Sequence, residues 1–406
     1  MTDTLLEYTF DDSLHDVLRA GRESGPSGID SATGAVVVLG YSDVERLAHD
    51  PRLAGVGLTV FDLLGVPDGP LRTWYSNLMF TNDGDAHHRL RRLAARVFTP
   101  RSVEHHRQLA AELTAARMSD LVAAGGGDLV EAFATVPITV ICRLLGVPDD
   151  EVANFVAYGD ALSPVFGLME ADQIARAETA VVELMVDVER MIAASAGQRG
   201  DDLISALLDA EEAGDRLTHD EVVTMVGNLI VGGHDTTASQ IGCSLLALLR
   251  HAEALDDLRA DPSLAGAVVN ETIRFEPSIT VVPRTVVEPV EIGGVERAAG
   301  SLVFLSSAST SRQADVWGDP DVFRPARFTQ AGAPKLLSFG SGAHYCLGAA
   351  LARMTLEEVV CGAAAAGLGD TIVSSSPSLD VVEWRSVLGR SPASLPVVVI
   401  DVTIGV

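Results

Sequence analysis

The stretch Ser338-Phe339-Gly340-Ser341-Gly342-Ala343-His344-Tyr345-Cys346-Leu347-Gly348 is the most informative part of the chain. A glycine-rich loop here carries a single cysteine to the start of an alanine- and leucine-rich segment, which predicts a helix from about Leu347 to Ala366. The dipole and the free N–H groups of a helix N-terminus stabilise a thiolate, and glycines let the backbone bend around a sulfur atom. Cys346 is therefore suited to act as a thiolate. The alternative is a buried structural cysteine, the usual fate of a lone cysteine.

Other glycine-rich sites do not fit this stretch. Gly340-x-Gly342 lacks the third glycine and the preceding strand–helix–strand context of a dinucleotide-binding loop. The chain also contains neither the GxSxG nucleophile elbow nor the GxxxxGK[ST] phosphate loop. The loop therefore points to the chemistry of its cysteine.

The composition of the 406-residue chain excludes several classes of protein. Hydrophobic residues make up 47% and charged residues 21%, which excludes a disordered chain. The formal net charge of −27 argues against binding to nucleic acid or to an anionic membrane. The acidic start and the lack of an uncharged apolar stretch of about 18 residues predict neither a signal peptide nor a membrane span. The four cysteines show no CxxC spacing, so we expect reduced thiols in a cytoplasmic protein. We also expect a monomer.

Helical periodicity dominates the chain from about Pro100 to Arg274, and strand signals are short. The strand signals lie at Ala35–Leu39, Thr280–Val287, Val290–Ile292, Leu302–Leu305 and Val397–Val402. This pattern predicts a mainly α fold with small β-sheets. Because no long linker divides the chain, we expect one domain over residues 1–406.

A long helix is predicted from Thr218 to about Arg250. Thr218 and Glu221 have the spacing of a capping box, in which each side chain accepts a hydrogen bond from the other residue's N–H group. The helix interior holds Gly232 and Gly233, and each costs about 1 kcal/mol relative to alanine. This cost indicates that something approaches the backbone closely. Tight helix–helix packing is the alternative.

The cysteine loop resembles the haem-binding loop of the cytochrome P450 family, with Phe339, Gly340, Gly342, His344, Cys346 and Gly348 all on the pattern. The resemblance implies a cytochrome P450-like fold in which haem b is buried between a long distal helix and the proximal cysteine loop. It implies that Cys346 is the metal ligand, that Phe339 and Gly340 bind the cofactor, and that His344 lies near a haem propionate.

Two further stretches carry the resemblance. Glu271 and Arg274 match the family's ExxR motif, and Arg327 lies in a downstream segment that resembles the one to which this pair is tied. The resemblance gives these three residues a structural role, whereas an isolated pair of this kind is usually a surface ion pair. Gly232-Gly233-His234-Asp235-Thr236-Thr237 resembles the oxygen-binding stretch of the distal helix. It implies that the two glycines clear space for haem, that Thr236 hydrogen-bonds the oxygen and that Asp235 relays protons.

A basic cluster surrounds His87 and Arg91, which share one helix face. The resemblance places both residues on the haem propionates, and Arg284 matches a third propionate-binding position. Arg89, Arg92 and Arg96 fall on another face, where they are either docking residues for an acidic ferredoxin or part of a solvated helix surface. The sequence does not separate these two interpretations.

The regions that line the substrate pocket in this family are mostly apolar here. The candidates are Trp74, Leu78, Met79, Phe166, Met169, Asn228, Val231, Ile279 and Thr280. They favour a lipophilic substrate such as a terpenoid, fatty acid, steroid or polyketide. Asn228 is either a polar anchor for the substrate or a cap for a neighbouring backbone group.

The resemblance spans about Leu78 to Val399 and implies a monooxygenase that hydroxylates or epoxidises its substrate with O₂. No flavin or nicotinamide motif follows the haem part, so electrons would come from NAD(P)H through a separate ferredoxin and ferredoxin reductase. One alternative is a peroxygenase, whose relatives lack the acid–alcohol pair that Asp235 and Thr236 provide. Another is a haem protein that binds a ligand or carrier domain without oxidising it. One departure is Ser311-Arg312-Gln313, where the family usually has Asn-Arg-Asp.

Overall fold

A computed structural model of the chain describes residues 4–95, 98–167, 169–195, 204–205, 208, 218–386 and 389–400. Helices dominate these residues and strands are short, which confirms the predicted fold class. The α-helices are α1 (Leu14–Ser24), α2 (Tyr41–Leu47), α3 (Thr59–Leu64), α4 (Pro70–Ser76), α5 (Gly84–Ala95), α6 (Pro100–His105), α7 (Arg107–Ala123), α8 (Leu129–Phe133), α9 (Val136–Leu145), α10 (Val152–Leu162), α11 (Ala171–Ser195), α12 (His219–Arg250), α13 (Glu253–Ala260), α14 (Ala265–Phe275), α15 (Ser307–Ser311), α16 (Ala314–Trp317) and α17 (Ala349–Ala365).

The strands form one larger sheet, one three-stranded sheet and two hairpins within the described residues. The strands are β1 (Thr4–Leu6), β2 (Ser27–Asp30), β3 (Val36–Val38), β4 (Leu53–Ala54), β5 (Gly126–Asp128), β6 (Val282–Val286), β7 (Val290–Ile292), β8 (Val295–Arg297), β9 (Leu302–Leu305), β10 (Ile372–Ser374), β11 (Trp384–Ser386), β12 (Arg390–Pro392) and β13 (Pro396–Val399). The order is β1-β2-β3-β9-β6-β4 in the larger sheet and β10-β13-β5 in the smaller one, with β11 paired to β12 and β7 to β8.

The described residues divide into two compact units. One unit contains those of Met1–Ala54, Arg107–Ala134 and Thr237–Val406, and the other those of Gly55–His106 and Thr135–Thr236. We call them the sheet unit and the helical unit. The prediction of a single domain over 1–406 stays a prediction.

The sheet unit has its core on the six-stranded sheet. The apolar side chains of β3, β6 and β9 are buried there together with residues of α2. β3 lies parallel to β9, with Val36 opposite Val303. In the same unit α17 packs against α7 and α14, and this packing fixes the helix that follows Cys346.

The long helix α12 begins where the capping box predicts. The Thr218 hydroxyl accepts a hydrogen bond from the Glu221 N–H group at 3.2 Å, and Oε2 of Glu221 accepts one from the Thr218 N–H group at 2.7 Å. The helix runs to Arg250, so its 32 residues span about 48 Å. Its middle is almost entirely buried, and Gly232 is an exposed residue within it.

Other predicted boundaries shift by a few residues. α17 begins at Ala349 rather than Leu347, because the backbone first closes the cysteine loop through a bond from the Cys346 N–H group to the Phe339 carbonyl. β6 begins at Val282 rather than Thr280, whose carbonyl accepts bonds from the Tyr8 hydroxyl and the Ala308 N–H group instead. β13 ends at Val399, and residues 401–402 of the predicted strand lie outside the described residues.

Candidate functional site

The cysteine loop, residues 338–348, is shaped by its glycines. Gly340 and Gly342 have φ values of +72° and +71°, a backbone conformation that residues with a side chain rarely adopt. At Gly342 an added Cβ would also lie 2.4 Å from the carbonyl oxygen of Ala48. The loop closes with a 2.9 Å hydrogen bond from the Cys346 N–H group to the Phe339 carbonyl, and Cys346 is exposed. The fold thus presents this thiol three residues before the first residue of α17.

Side chains from neighbouring elements hold the loop in place. The guanidinium of Arg353, on α17, lies 4.2 Å from the ring centre of Phe339 and donates to the Tyr345 hydroxyl at 3.2 Å. On the other side, Nε2 of His49 lies 2.9 Å from the Ser341 hydroxyl. The loop is therefore anchored at its beginning, its middle and its end.

The other thiols differ from Cys346 in their surroundings. Burial raises the pKa of both Cys142 and Cys243 to about 12, and it also raises the pKa of Cys361. These three thiols stay protonated near neutral pH. The exposed Cys346 at a helix start is the thiol whose environment suits a ligand.

Arg284 lies close to the cysteine loop within the sheet unit. It is 7% exposed and lines one small cavity with Leu337, Gly340 and Ser341. Its Nη1 donates to the carbonyl of the preceding residue at 2.8 Å. A cation beside this loop is suited to bind a carboxylate. His344 lies in the loop itself and is partly buried.

The ExxR residues form a buried network in the sheet unit. Glu271 and Arg274 are fully buried and make two parallel hydrogen bonds of 2.7 Å each. Arg327 donates to the same carboxylate at 3.2 Å, and its other nitrogens donate to backbone carbonyls, including that of Trp317 at 2.7 Å. Arg274 also donates to the carbonyls of Ser311 and Pro320. The three predicted structural residues therefore lie in contact, and they tie α14 to the segment around the 3₁₀-helix Pro325–Phe328.

The two glycines of α12 have different surroundings. An added Cβ at Gly233 would lie 2.3 Å from Cδ1 of Ile141, so α12 and α9 are packed closely there. An added Cβ at Gly232 would meet no described atom within 4 Å. Helix–helix packing, the alternative interpretation, therefore accounts for Gly233, while Gly232 leaves an open stretch of backbone in a buried helix.

Asp235 and Thr236 follow this open stretch. The Thr236 hydroxyl donates to the Gly232 carbonyl at 2.9 Å, one turn earlier. Oδ2 of Asp235 is buried and has no hydrogen-bond partner among the described residues. A buried, unpartnered carboxylate oxygen is costly, and such atoms in native proteins usually contact water or a ligand.

The basic cluster divides as its periodicity predicts. His87 is buried, with 1% of its surface exposed, and Arg91 is partly buried one turn further along α5. On another face, Arg89 makes two hydrogen bonds to Glu221, at 2.6 and 3.0 Å. Arg89 therefore supports the start of α12, and Arg96 lies outside the described residues.

The apolar pocket candidates of the helical unit are mostly buried. These are Trp74, Leu78, Met79, Phe166, Met169 and Val231; Ile279 and Thr280 belong to the sheet unit. The Asn228 amide oxygen accepts a 3.3 Å hydrogen bond from the Met79 N–H group, so the backbone-capping interpretation describes its contact.

Sequence reasoning missed two features of the helical unit. Phe80 lies 4.9 Å from Phe166 and 5.8 Å from Tyr75, measured between ring centres, and joins them in an aromatic cluster. His234 makes a 2.9 Å contact with Asp160 on α10. The sequence signal for Phe80 was its position next to the pocket candidate Met79. The signal for the contact of His234 was Gly159, a glycine within the short helix α10.

In the described part of the chain, no helix combines the length and the apolar character needed to cross a bilayer.

Comparison with known proteins extends the likeness well beyond these motifs. The sequence model of the family described as Cytochrome P450 matches residues 164–361. The chain is 34% identical over 404 residues to Cytochrome P450 107B1 of Saccharopolyspora erythraea, with 96% of each chain covered. It is 33% identical over 374 residues to the 6-deoxyerythronolide B hydroxylase of the same organism, with 89% of this chain and 90% of the relative covered. The solved structure of the ligand-free P450 monooxygenase TamI matches with a TM-score of 0.81 and 30% identity, covering 98% of this chain and 94% of that one.

Proposed function

Because the chain belongs to the cytochrome P450 family and is a monooxygenase, we propose that it inserts one oxygen atom from O₂ into a lipophilic small molecule, by hydroxylation or epoxidation. The observation that carries this proposal is the unpartnered carboxylate oxygen of Asp235, one residue before Thr236 and beside an open stretch of helix backbone. This arrangement suits residues that handle protons next to a reacting molecule.

The family binds haem, and the residues present here fit that group. We propose haem b, with the Cys346 thiolate as the ligand of the iron and Phe339 and Gly340 beside it. When bound, a thiolate-ligated haem supplies the activation of O₂. The exposed thiol, the anchored loop and the open backbone at Gly232 support this assignment.

We propose that four basic side chains bind the two carboxylates of haem. Arg284 offers a buried guanidinium beside the cysteine loop, and His87 and Arg91 offer an imidazole and a guanidinium on one face of α5. His344 completes the set from within the loop. Arginine suits this role because its planar guanidinium binds a carboxylate through two hydrogen bonds.

The acid–alcohol pair would supply protons to oxygen. Asp235 has an oxygen that is not engaged by the described residues, so it can hold a proton and pass it on. The Thr236 hydroxyl donates its hydrogen to the Gly232 carbonyl, and a hydroxyl oxygen can also accept hydrogen bonds. We propose that Thr236 holds the reacting oxygen or a water in place while Asp235 delivers the proton.

The substrate proposal rests on the character of the candidate pocket residues. Leu78, Met79, Phe166 and Val231 are apolar and mostly buried, as in sites for lipophilic ligands. One relative is named as a hydroxylase, which favours hydroxylation over epoxidation. We therefore propose a lipophilic small molecule of the terpenoid, fatty acid, steroid or polyketide classes.

We propose that electrons reach the protein from NAD(P)H through a separate ferredoxin reductase and ferredoxin. The exposed arginine Arg101, close in sequence to α5, supports docking of an acidic partner. We also propose a monomeric, cytoplasmic protein that works as one domain over residues 1–406. The net charge of −27 and the spacing of the cysteines support that setting.

Carbon monoxide binding to the reduced protein tests the proposed ligand. We expect a strongly red-shifted Soret band for the parent protein, and loss of this band and of turnover in Cys346→Ser. Cys361→Ser is the matched control, because it removes a half-buried thiol from the helix that follows the loop. A Cys346→Ser protein with the parent spectrum and activity would refute the assignment.

Turnover with isotope-labelled O₂ tests the reaction itself. With NAD(P)H, ferredoxin and reductase present, we expect label in the product and one product molecule per NAD(P)H consumed. Product formed only on addition of hydrogen peroxide would instead identify a peroxygenase. A substrate panel that yields binding only with small polar molecules would refute the lipophilic class.

A further inference from the structure

We propose that Asp160 and His234 form a path that supplies protons from solvent to Asp235; the path rests on the role of Asp235 proposed above. A carboxylate that gives up a proton in each turnover must be reloaded. Asp235 cannot exchange freely with bulk water through its Oδ2 atom, because that atom is buried. A proton that reaches Oδ2 from solvent therefore passes through groups next to this atom in the helical unit.

The contact between Asp160 and His234 joins the surface to the interior. The side chain of Asp160, on α10, is 68% exposed, whereas that of His234, on α12, is 6% exposed. Oδ1 of Asp160 lies 2.9 Å from Nε2 of His234. One end of this hydrogen bond is thus in solvent, and the other end is an imidazole in the residue that precedes Asp235.

The imidazole of His234 packs against a glycine of α10, and a glycine within a helix lowers the stability of that helix. A Cβ added at Gly159 would lie 2.8 Å from Cδ2 of His234, so only glycine accommodates the ring beside α10. A glycine in a helix interior costs about 1 kcal/mol relative to alanine. The contact is therefore built into both helices and does not depend on one mobile side chain.

Two buried polar atoms lie on consecutive residues beyond this contact. Nδ1 of His234 and Oδ2 of Asp235 are both buried, and neither has a hydrogen-bond partner among the described residues. Buried polar atoms are normally satisfied, and buried waters typically satisfy those that protein groups do not reach. A buried water that bridges these two atoms of adjacent residues is part of the proposed path.

The chemistry of such a path balances without any further reagent. A proton passes from water through the Asp160 carboxylate to Nε2 of His234, and Nδ1 releases another proton toward Asp235. One proton has moved inward and no bond to carbon has changed. The ring is left as the Nε2–H tautomer and turns about its Cβ–Cγ bond before the next transfer. Each O₂ that is reduced with two electrons from NAD(P)H requires two such protons, and both leave in the one molecule of water that is released.

Substitutions at the exposed end of the path provide the main test. Asp160→Asn keeps a side chain of the same shape but cannot carry the proton, and Asp160→Glu restores the carboxyl group. His234→Gln is the interior variant, and Asp172→Asn on α11 is the control for the loss of one exposed carboxylate. The readouts are kcat, KM, the solvent deuterium isotope effect on kcat, and peroxide released per NAD(P)H.

We expect Asp160→Asn and His234→Gln to lower kcat about tenfold, below the full effect of a general acid, because stray water partly replaces the path. KM should stay unchanged and the solvent isotope effect should rise, with Asp160→Glu close to the parent and Asp172→Asn unchanged. Parent values of kcat and isotope effect in both variants would overturn the path. So would a loss of activity that follows thermal stability or KM without a larger isotope effect, since this would indicate a purely structural bridge.

Asp235→Asn separates failure of the path from failure of the proposed function. If it raises peroxide release while the Asp160 and His234 variants behave like the parent, the path alone is wrong. If Asp235→Asn instead leaves the peroxide released per NAD(P)H unchanged, Asp235 does not supply protons. The path proposed to reload Asp235 is then wrong as well.

Discussion

Gly342 shows how one residue shapes the candidate ligand loop. Its φ of +71° costs a residue with a side chain about 1–2 kcal/mol, and its Cβ would lie 2.4 Å from the Ala48 carbonyl oxygen. We therefore expect Gly342→Ala to lower both thermal stability and the haem-to-protein ratio. Gly332→Ala is the control, because its φ is +86° but its Cβ would meet no described atom within 4 Å. Equal haem content in the two variants would show that the clash does not matter.

Thr236 has a proposed role in oxygen chemistry and also a hydrogen bond within its own helix. Its hydroxyl bonds to the Gly232 carbonyl, and Thr139 makes the same type of bond to Thr135 in α9, at 2.8 Å. We expect Thr236→Ala to divert reductant to hydrogen peroxide while haem binding stays intact. Thr139→Ala should leave the ratio of peroxide to NAD(P)H unchanged. If both variants behave alike, the effect belongs to helix structure and not to proton delivery.

The sequence alone predicts individual residues when a local motif contains the chemistry. Cys346 stands out because the glycines of its loop and the start of the following helix lie within a dozen positions of it. Glu271 and Arg274 stand out because their spacing places them on one helix face. The contact of His234 could not be predicted in this way. Asp160 lies 74 positions away, and only the packing of α10 on α12 brings the two side chains together.

At the scale of the element, the start of α12 depends on one carboxylate. Glu221 accepts bonds from the Thr218 N–H group and from Arg89, and the Arg89 hydrogen bonds hold the pKa of Glu221 below its usual value. A lowered folded pKa contributes stability above the unfolded pKa, near 4.3, and this contribution is lost as pH falls through the folded pKa.

We therefore expect Glu221→Gln to lower the free energy of unfolding at pH 7 and to have little effect in acid. Denaturant unfolding of both proteins over a pH series would measure the difference. Glu183→Gln on α11 is a control acid without a resolved contact to a helix start. If the difference in unfolding free energy between the parent and Glu221→Gln grows as pH falls, the expected pH dependence is wrong.

Helix boundaries and sheet partners differ in how far the sequence predicts them. α12 was predictable because its capping box and its apolar length are local signals, and it begins and ends within a residue of the prediction. The segments of β3, β6, β7, β9 and β13 were also recognisable, whereas the other short strands were not predicted. Their order was not, because β3 and β9 pair across most of the chain and nothing near either strand specifies the other.

At the scale of the whole molecule, the net charge of −27 opposes an acidic redox partner. An exposed cation such as Arg101 on α6 then has a large influence on docking. We expect Arg101→Glu to slow reduction by ferredoxin about threefold or more at low salt, and the difference to vanish near 1 M salt, where the Debye length is about 3 Å. Arg176→Glu on α11 makes the same charge change at another exposed site. If both variants slow reduction equally, the total charge of the protein governs docking and the position of Arg101 does not.

The pairing of β3 with β9 also sets the order in which the chain can fold. Val303 leaves the ribosome roughly 270 positions after Val36, which is about 15–50 s later at 5–20 residues per second. For that time the apolar edge of β3 has no β9 to cover it, and an uncovered edge is a template for aggregation. Cys346 emerges later still. The nascent N-terminal strands are thus exposed to aggregation until β9 has been made, and the proposed haem ligand is made after both strands.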